Sequence, residues 1–281
     1  MKNKIFKSLL TIALFVSMQQ ESFAGFPIGN GRWLLVPTYT RYSASSYWDA
    51  NGVSKNFDAN GRYQSNYLGL YGGYGIGRDV DLVFNIPYVA QSYFENGSKL
   101  EQLSAVGDVT VGLSYFLNHY DYYKHLSITG SLIFPMYDNV PNTYLLPGFG
   151  SAGAEVKMGL AGTNTQKLKD TYYDIEGGVR HYFNAGGPTI LFANATFGVP
   201  INEDWKISGT LNAVSASSSV NKNDIAYNPF INKEFSYIRG TIALGRRLDR
   251  NITLWGSIFR DFAGTSIGQG EGFSVFAVIK F

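Results

Sequence analysis

The chain has 281 residues, and none of them is cysteine. This absence excludes a disulfide scaffold, a thiolate metal site and a cysteine nucleophile, and it is compatible with export. Long apolar runs are missing as well. Beyond residue 24, no stretch reaches the ~18 consecutive apolar residues that indicate a membrane-spanning helix. A bundle of spanning helices is therefore excluded.

The first 24 residues have the three parts of a secretory signal peptide. A lysine-rich start precedes an apolar segment from Leu9 to Met18, and the small-x-small sequence Ser22-Phe23-Ala24 follows as a cleavage site. The alternative is a single membrane anchor, but the apolar segment is shorter than the ~20 residues that a spanning helix needs. We expect residues 1–24 to be a signal peptide and residues 25–281 to form the mature domain.

Excess charge is the third feature that the chain lacks. Removing the signal peptide takes away three of the 23 basic residues and one of the 21 acidic ones, which leaves a formally neutral mature chain. A neutral chain has no electrostatic footprint for nucleic acid. We expect neither a nucleic-acid partner nor a cofactor.

Aromatic residues and glycine are abundant instead. Twenty Tyr, twenty Phe and 32 Gly in a chain that is only 16% charged are typical of an outer-membrane barrel with aromatic belts. The segment Gly272–Phe281 alternates in the way of a strand and ends on a chain-terminal aromatic residue, which would leave an adhesive edge in a soluble domain. We expect Phe281 to be the signal read by the barrel-insertion machinery, and outer-membrane lipids to surround the protein.

Alternation of apolar and polar residues recurs along the whole mature chain. It is clearest where Val109, Val111, Leu113 and Tyr115 share one face of an extended segment. We predict an all-β fold, a transmembrane up-and-down antiparallel barrel of about twelve strands. The barrel must close, since an unpaired backbone N–H or C=O in hydrocarbon costs several kcal/mol.

The connections between the predicted strands alternate in length. Long polar connections are predicted at about residues 43–62, 95–105, 136–152, 217–233 and 263–271, and Asn184–Gly187 is a short exception. The intervening turns are short, as on the periplasmic side of outer-membrane barrels. The sixth segment, residues 153–162, is predicted as a strand, with a short helix left open as an alternative.

Catalytic chemistry has little support in the sequence. Three histidines are present, and His119 and His125 are interpreted as headgroup-level polar residues beside tyrosines, while His181 lies near a strand end without a second metal ligand. An outer-membrane phospholipase would need a nucleophilic serine activated by a histidine. No serine has a histidine at a neighbouring position on the same face, so we predict that the protein is not an enzyme.

Two sets of residues are candidates for function. Polar residues on the faces opposite the apolar ones are predicted to line the lumen: Asp81, Asn85, Asp108, Asp174, Glu176, Arg180 and Lys206. Proline and glycine within three consecutive strands weaken the wall, because proline cannot donate to a ladder and strand glycines mark bends. These residues are Pro37, Gly72, Gly73 and Pro87, and they predict a lateral opening, although glycines that merely permit curvature are the alternative.

Two motifs and the aromatic terminus resemble a known family. The sequence I-P-Y at Ile86–Tyr88 and the sequence G-D-V-T-V-G-L-S-Y at Gly107–Tyr115 are similar to outer-membrane proteins of the meta-pathway phenol degradation family, distant relatives of the long-chain fatty acid and toluene transporters. The resemblance implies uptake of small hydrophobic solutes. No N-terminal plug is recognisable before the first strand. A structural or surface-presenting barrel, whose extracellular loops bind a partner, is the alternative function.

Overall fold

The computed structural model of the protein describes residues 25–121, 124–139, 145–164, 171–184, 186–219 and 232–281. The predicted signal peptide, residues 1–24, lies outside the described residues. No helix in the described ranges is long and apolar enough to cross a membrane.

Strands make up nearly all of the described chain. They are β1 (Trp33–Trp48), β2 (Ser54–Asn56), β3 (Arg62–Gly75), β4 (Val80–Glu95), β5 (Ser98–Val106), β6 (Asp108–Asp121), β7 (Lys124–Pro135), β8 (Gly153–Asn164), β9 (Thr171–Tyr182), β10 (Thr189–Pro200), β11 (Trp205–Ser217), β12 (Phe235–Arg247), β13 (Ile252–Thr265) and β14 (Ile267–Lys280). A single 3-10 turn, Asp58–Asn60, lies between β2 and β3.

The sheet closes on itself. Each wall strand pairs antiparallel with its neighbour along the chain, and β14 pairs with β1 from Leu34↔Lys280 to Trp48↔Ile267. The seal extends to the end of the chain, because the Trp33 amide donates to the Phe281 carbonyl at 2.7 Å and the Phe281 amide donates to the Trp33 carbonyl at 3.1 Å. Of the fourteen strands, β2 and β5 extend beyond the wall and the other twelve form it. The predicted fold is confirmed.

The two faces of the wall differ as alternation predicts. Val111, Leu113 and Tyr115 of β6 point outward and are exposed, whereas Ser114 and Phe116, which alternate with them, are buried in the lumen. The same pattern continues on the other strands, so a band of exposed apolar side chains surrounds the barrel. An apolar surface of this extent is unstable in water and stable in lipid.

The sixth predicted segment is a strand. Residues of β8 pair with β7 from Ile133↔Gly153 to Lys124↔Gly162 and with β9 along their full length, which resolves the alternative of a short helix.

Two predicted loops are wrong. Residues 95–105 form a hairpin, in which β4 turns at Asn96-Gly97 and β5 runs back along it. Residues 263–271 belong to β13 and β14, which are joined at Ser266 with a φ of +53°. Both segments are rich in polar residues or glycine, which are uncommon in strands, and this composition led to the prediction of loops. Pairing across each hairpin nevertheless satisfies their backbone hydrogen-bonding groups.

The loop between β1 and β2 is fixed by one carboxylate. Asp49 accepts hydrogen bonds from the amides of Asn51 at 2.9 Å and Val53 at 3.0 Å, and it forms an ion pair with Lys55 at 2.9 Å. The Lys55 hydrogen bond, with those backbone amides, lowers the pKa of Asp49 from 3.8 to about 2. The lowered pKa means that this carboxylate stabilises the hairpin above about pH 4 and ceases to do so as the pH falls through about 2.

We therefore expect the Asp49 carboxyl to titrate near pH 2 when it is followed by carbon-detected NMR. Replacing Lys55 with glutamine removes the largest contribution and should raise the midpoint. An ordinary midpoint in the unmodified protein, unchanged in Lys55→Gln, would contradict the hydrogen-bonded arrangement.

Candidate functional site in the barrel lumen

A buried ion-pair cluster lies in the middle of the lumen, on β8 and β9. Lys157 contacts Glu176 at 3.0 Å, and Arg180 donates from Nε at 2.9 Å and from Nη2 at 2.6 Å to the same oxygen of Glu155. Asp174 is fully buried on the same face of β9. Cross-strand pairing places these charges opposite one another, since Glu155 pairs with Arg180 in the β8–β9 register. The positive and negative side chains on the lumen face of β8 and β9 thus neutralise each other.

Hydrogen bonds extend this cluster around the lumen. Asn194 donates to Glu176 at 3.4 Å, and Asn212 donates to Asn194 at 2.9 Å. Toward the extracellular side, Asp108 accepts hydrogen bonds from the hydroxyls of Tyr137 and Tyr182, each at 2.8 Å. The result is a polar belt that crosses from β6 to β11.

The predicted lumen residues do not form one site. Asp174, Glu176 and Arg180 come together, and Asp108 joins them through Tyr182. The remaining three differ in position: Asp81 lies near Tyr71, as do Asp174 and Glu176, Lys206 lies at the end of the barrel that holds the termini, and Asn85 is beside the Tyr67 hydroxyl.

Sequence reasoning missed four charged residues of the lumen. Glu155 and Lys157 occupy the face of β8 opposite its apolar positions, so the alternation already contained the signal. Arg239 and Asp261 form a second buried pair, with Nε to Oδ1 at 2.7 Å and Nη2 to Oδ2 at 3.2 Å. The faces of β12 and β13 were not assigned in advance, and the pair is visible only once their register is known.

The extracellular half of the lumen contains a large apolar cluster beside the charged pairs Glu155–Arg180 and Arg239–Asp261. Side chains from seven wall strands and one loop pack there into a cluster of eleven buried residues: Trp48, Ile133, Phe149, Tyr182, Ile190, Phe192, Val214, Ala216, Phe235, Tyr237 and Ile267. A second cluster of Ala44, Phe57, Tyr63, Tyr93 and Leu145 lies beside it. A channel for polar solutes would expose water-binding side chains here, so the composition favours apolar contents.

Residues 25–31 cross the lumen at the end where the chain termini lie. The turns at this end are short, as at 76–79 and 248–251, which identifies it as the periplasmic end. The Ile28 amide donates to Asp81 at 2.9 Å, and Phe26 lies edge-on to His125 with ring centroids 6.1 Å apart. The expectation that no plug precedes the first strand is wrong, because this short segment occupies the mouth.

The glycines of β3 have two different roles. Side chains at Gly73 or Gly75 would strike the crossing segment, since a Cβ would lie 2.5 Å from Ile28 Cδ1 or 1.9 Å from the Gly29 carbonyl oxygen. Gly72 faces outward and is covered by the Phe84 ring, 2.4 Å from the position of a Cβ. Each of the three glycines is therefore explained by a neighbouring group that leaves no room for a side chain.

The prolines coincide with interruptions of the wall. The β1–β14 register passes from Leu35↔Ile279 to Thr38↔Phe276 and skips both Val36 and Pro37. On the other side of the same three strands, pairing passes from Asn85↔Thr110 to Tyr88↔Val106 and skips Pro87. The ladders β1–β3 and β3–β4 are continuous. A weak point in the wall would therefore lie at one of the two interrupted pairings, which we call the Pro37 seam (β1 with β14) and the Pro87 seam (β4 with β5 and β6).

The two described histidine side chains lie on opposite faces of the wall. His125 faces the lumen between Phe26 and Phe116, rather than the headgroup level that was expected. His181 faces outward, and its Nδ1 lies 2.9 Å from the Thr189 hydroxyl. The side chain of His119 is outside the described part. Within the described residues, no three His, Asp or Glu side chains are close enough to share a metal ion.

Solved structures resemble this barrel, although sequence comparison finds no relative. No protein-family model matches the chain, and no curated protein matches it. An outer membrane channel from Pseudomonas putida F1 superimposes with a TM-score of 0.72 at 17% identity, covering 94% of this chain and 100% of that one. The chain is an outer-membrane β-barrel.

Other barrels match less well. The NanC porin gives a TM-score of 0.49 at 12% identity, over 87% of this chain and 98% of that one. The β domain of the Bordetella autotransporter BrkA gives 0.49 at 12% identity, over 88% and 99%. The fold assignment therefore rests on the Pseudomonas putida barrel alone.

Proposed function

We propose that the protein is a channel for small, mostly hydrophobic solutes, with no enzymatic activity of its own. The apolar cluster in the extracellular half of the lumen supports this most directly, because a solute that enters from outside and moves between these eleven mostly apolar side chains would meet apolar contacts. A benzene-sized solute that moves from water into contact with these side chains is stabilised, because its apolar surface is removed from water. The Pseudomonas putida barrel of the same architecture is described as an outer membrane channel, and this is consistent with the proposal.

Lateral release through the Pro87 seam completes the proposed route. The Gly107 amide donates to the Pro87 carbonyl at 2.8 Å, and this single bond bridges the interval between the two paired stretches. Ile86, Tyr88 and Val106 face the lipid around it and are exposed. An apolar solute that passes between Pro87 and Gly107 reaches hydrocarbon beside Asp108, at the β6 end of the polar belt.

Uptake of an uncharged aromatic compound into vesicles tests the route. Replacing Pro87 with threonine supplies the missing N–H donor and should slow uptake severalfold, because a paired seam opens less readily. Pro200→Thr is the matched control, since Pro200 ends β10 at the periplasmic rim and lies outside both seams. Unchanged uptake in Pro87→Thr would exclude lateral release there.

The same vesicles test the channel itself. An unmodified barrel that gives neither conductance nor uptake would overturn the proposal and favour a structural or surface-presenting role. The β4–β5 hairpin, which extends beyond the wall and exposes Leu100, would then be the first surface to examine.

A further inference from the structure

A cavity of about 330 Å³ opens at the periplasmic mouth, between Phe26 of the crossing segment, the ends of β8 and β9, and strands β11–β14. Its inner part is apolar, formed by Phe26, Tyr172, Trp255 and Val278. The Trp255 ring stacks on Phe276 behind it, with centroids 5.9 Å apart and planes inclined by 3°. The volume is at the lower end of the ~300–1,000 Å³ typical of small-molecule sites, so it suits a ligand of one ring.

The outer part of this cavity is basic. Lys206, Arg247 and Lys280 point inward from β11, β12 and β14, and Arg250 approaches from the β12–β13 turn. Only one acidic residue, Asp204, lines the cavity among the described residues, and it pairs with Arg247 at 3.5 Å. Four cations therefore face one carboxylate.

The basic groups repel one another. Lys280 experiences unfavourable electrostatic interactions with Lys206 and with Arg32, which precedes β1. Like charges held together on a rigid rim favour an anion that neutralises them. The ion pairs of the mid-lumen cluster do not extend to this rim, because Lys157 and Arg180 bind acids on their own two strands.

The crossing segment leaves the basic side open. Its backbone covers the opposite, acidic wall, where the Ile28 amide binds Asp81 and Gly25 lies against Asp174. A solute at the periplasmic mouth therefore meets cations on one side and the crossing segment on the other.

We propose that this cavity, the periplasmic vestibule, binds a small organic anion, namely a single-ring aromatic carboxylate. The ring packs against Trp255 and Val278, and the carboxylate accepts charge-assisted hydrogen bonds from Lys206 and Lys280. The inference deepens the proposed channel function, on which it rests, by naming a solute class that carries charge. An uncharged aromatic compound of the same size fills the ring position and leaves the cations without a partner.

Calorimetric titration of the purified full-length mature barrel in a non-ionic detergent tests the vestibule. Benzoate, benzyl alcohol and inorganic phosphate are the three probes. We expect benzoate to bind roughly tenfold or more tightly than the other two, since only benzoate uses both the ring position and the cations. The double variant Lys206→Gln, Lys280→Gln should abolish this preference.

A matched control separates the vestibule from general surface charge. Arg78 is an exposed cation in the periplasmic turn between β3 and β4, outside the cavity. Arg78→Gln should leave benzoate binding unchanged. Unaltered far-ultraviolet dichroism and heat-modifiability on gels verify that each variant is folded.

Three outcomes would overturn the inference: equal affinity for benzoate and benzyl alcohol, tighter binding of phosphate than of benzoate, or a preference for benzoate that survives in the double variant. Failure here is distinguishable from failure of the channel. If one of these three results is obtained while the unmodified protein still takes up an uncharged aromatic compound into vesicles, the channel stands and only the anion site falls.

Discussion

Deleting residues 26–31 is expected to open the periplasmic mouth of the barrel to water. The deletion joins Gly25 to Arg32, and it removes the hydrogen bond from Ile28 to Asp81 and the ring contact of Phe26 with His125. The wall begins at Trp33 and keeps its closure with β14. Lumen residues beneath the segment should therefore become accessible while the barrel remains folded.

The absence of native cysteine makes the measurement direct. Ser127 of β7 is 2% exposed, and it lies beside Gly159, against which Gly25 rests. In Ser127→Cys, a water-soluble maleimide added from the periplasmic side should react slowly, at a rate set by transient opening. In the same variant with residues 26–31 deleted, the rate should approach that of an exposed thiol.

A second variant displaces the segment without shortening it. Gly75→Val introduces a Cβ that would clash with the backbone carbonyl of Gly29, so the segment cannot keep its position. Gly256→Val is the matched control, because Gly256 has nothing within 4 Å of its Cβ position and faces outward. If neither the deletion nor Gly75→Val accelerated labelling, the segment would not be what closes the mouth.

Much of the wall could be predicted because alternation is a local property. The outward residues of β6 and β9, such as Leu113 and Ile175, followed from the sequence, since a strand places every second side chain on the same face. The β4–β5 hairpin could not be predicted in this way. Its residues are polar on both faces, as expected for a ribbon outside the membrane, and so they resemble a loop.

The lumen was less predictable because its contacts depend on register. Glu176 was identified as a lumen residue, yet its partner Lys157 is known only from the pairing of β8 with β9. The crossing segment was missed for a different reason. It is held by the Ile28 backbone amide and by the absence of side chains at Gly73 and Gly75, and neither feature produces a recognisable motif.

Removing one partner of the Arg239–Asp261 pair should cause the largest loss of stability. Arg239 is 13% exposed and Asp261 is 2% exposed, and the guanidinium lies 4.5 Å from the Phe259 ring centroid. Asp261→Ala leaves this cation buried with its carboxylate removed. Breaking a buried pair in this way costs about 3–5 kcal/mol, whereas the intact pair contributes far less than that in net terms.

Reversible urea unfolding in lipid vesicles measures the change in the free energy of unfolding. The Arg260–Glu271 pair is the matched control, because it joins the adjacent residues of β13 and β14 on the outer face, at 3.9 Å, with side chains 64% and 68% exposed. Glu271→Gln should cost less than about 1 kcal/mol, since the pair is long and solvent competes with it.

The double variant Arg239→Met, Asp261→Leu decides between two explanations for a loss of stability. If the loss in Asp261→Ala comes from an uncompensated buried charge, replacing both partners with apolar residues should recover most of it, because no charge then remains to be solvated. If the loss comes from a cavity, the single variant Asp261→Leu should recover as much as the double one. A loss in Asp261→Ala no greater than that in Glu271→Gln would mean that water reaches Arg239, and the lumen at this depth would then be hydrated rather than packed.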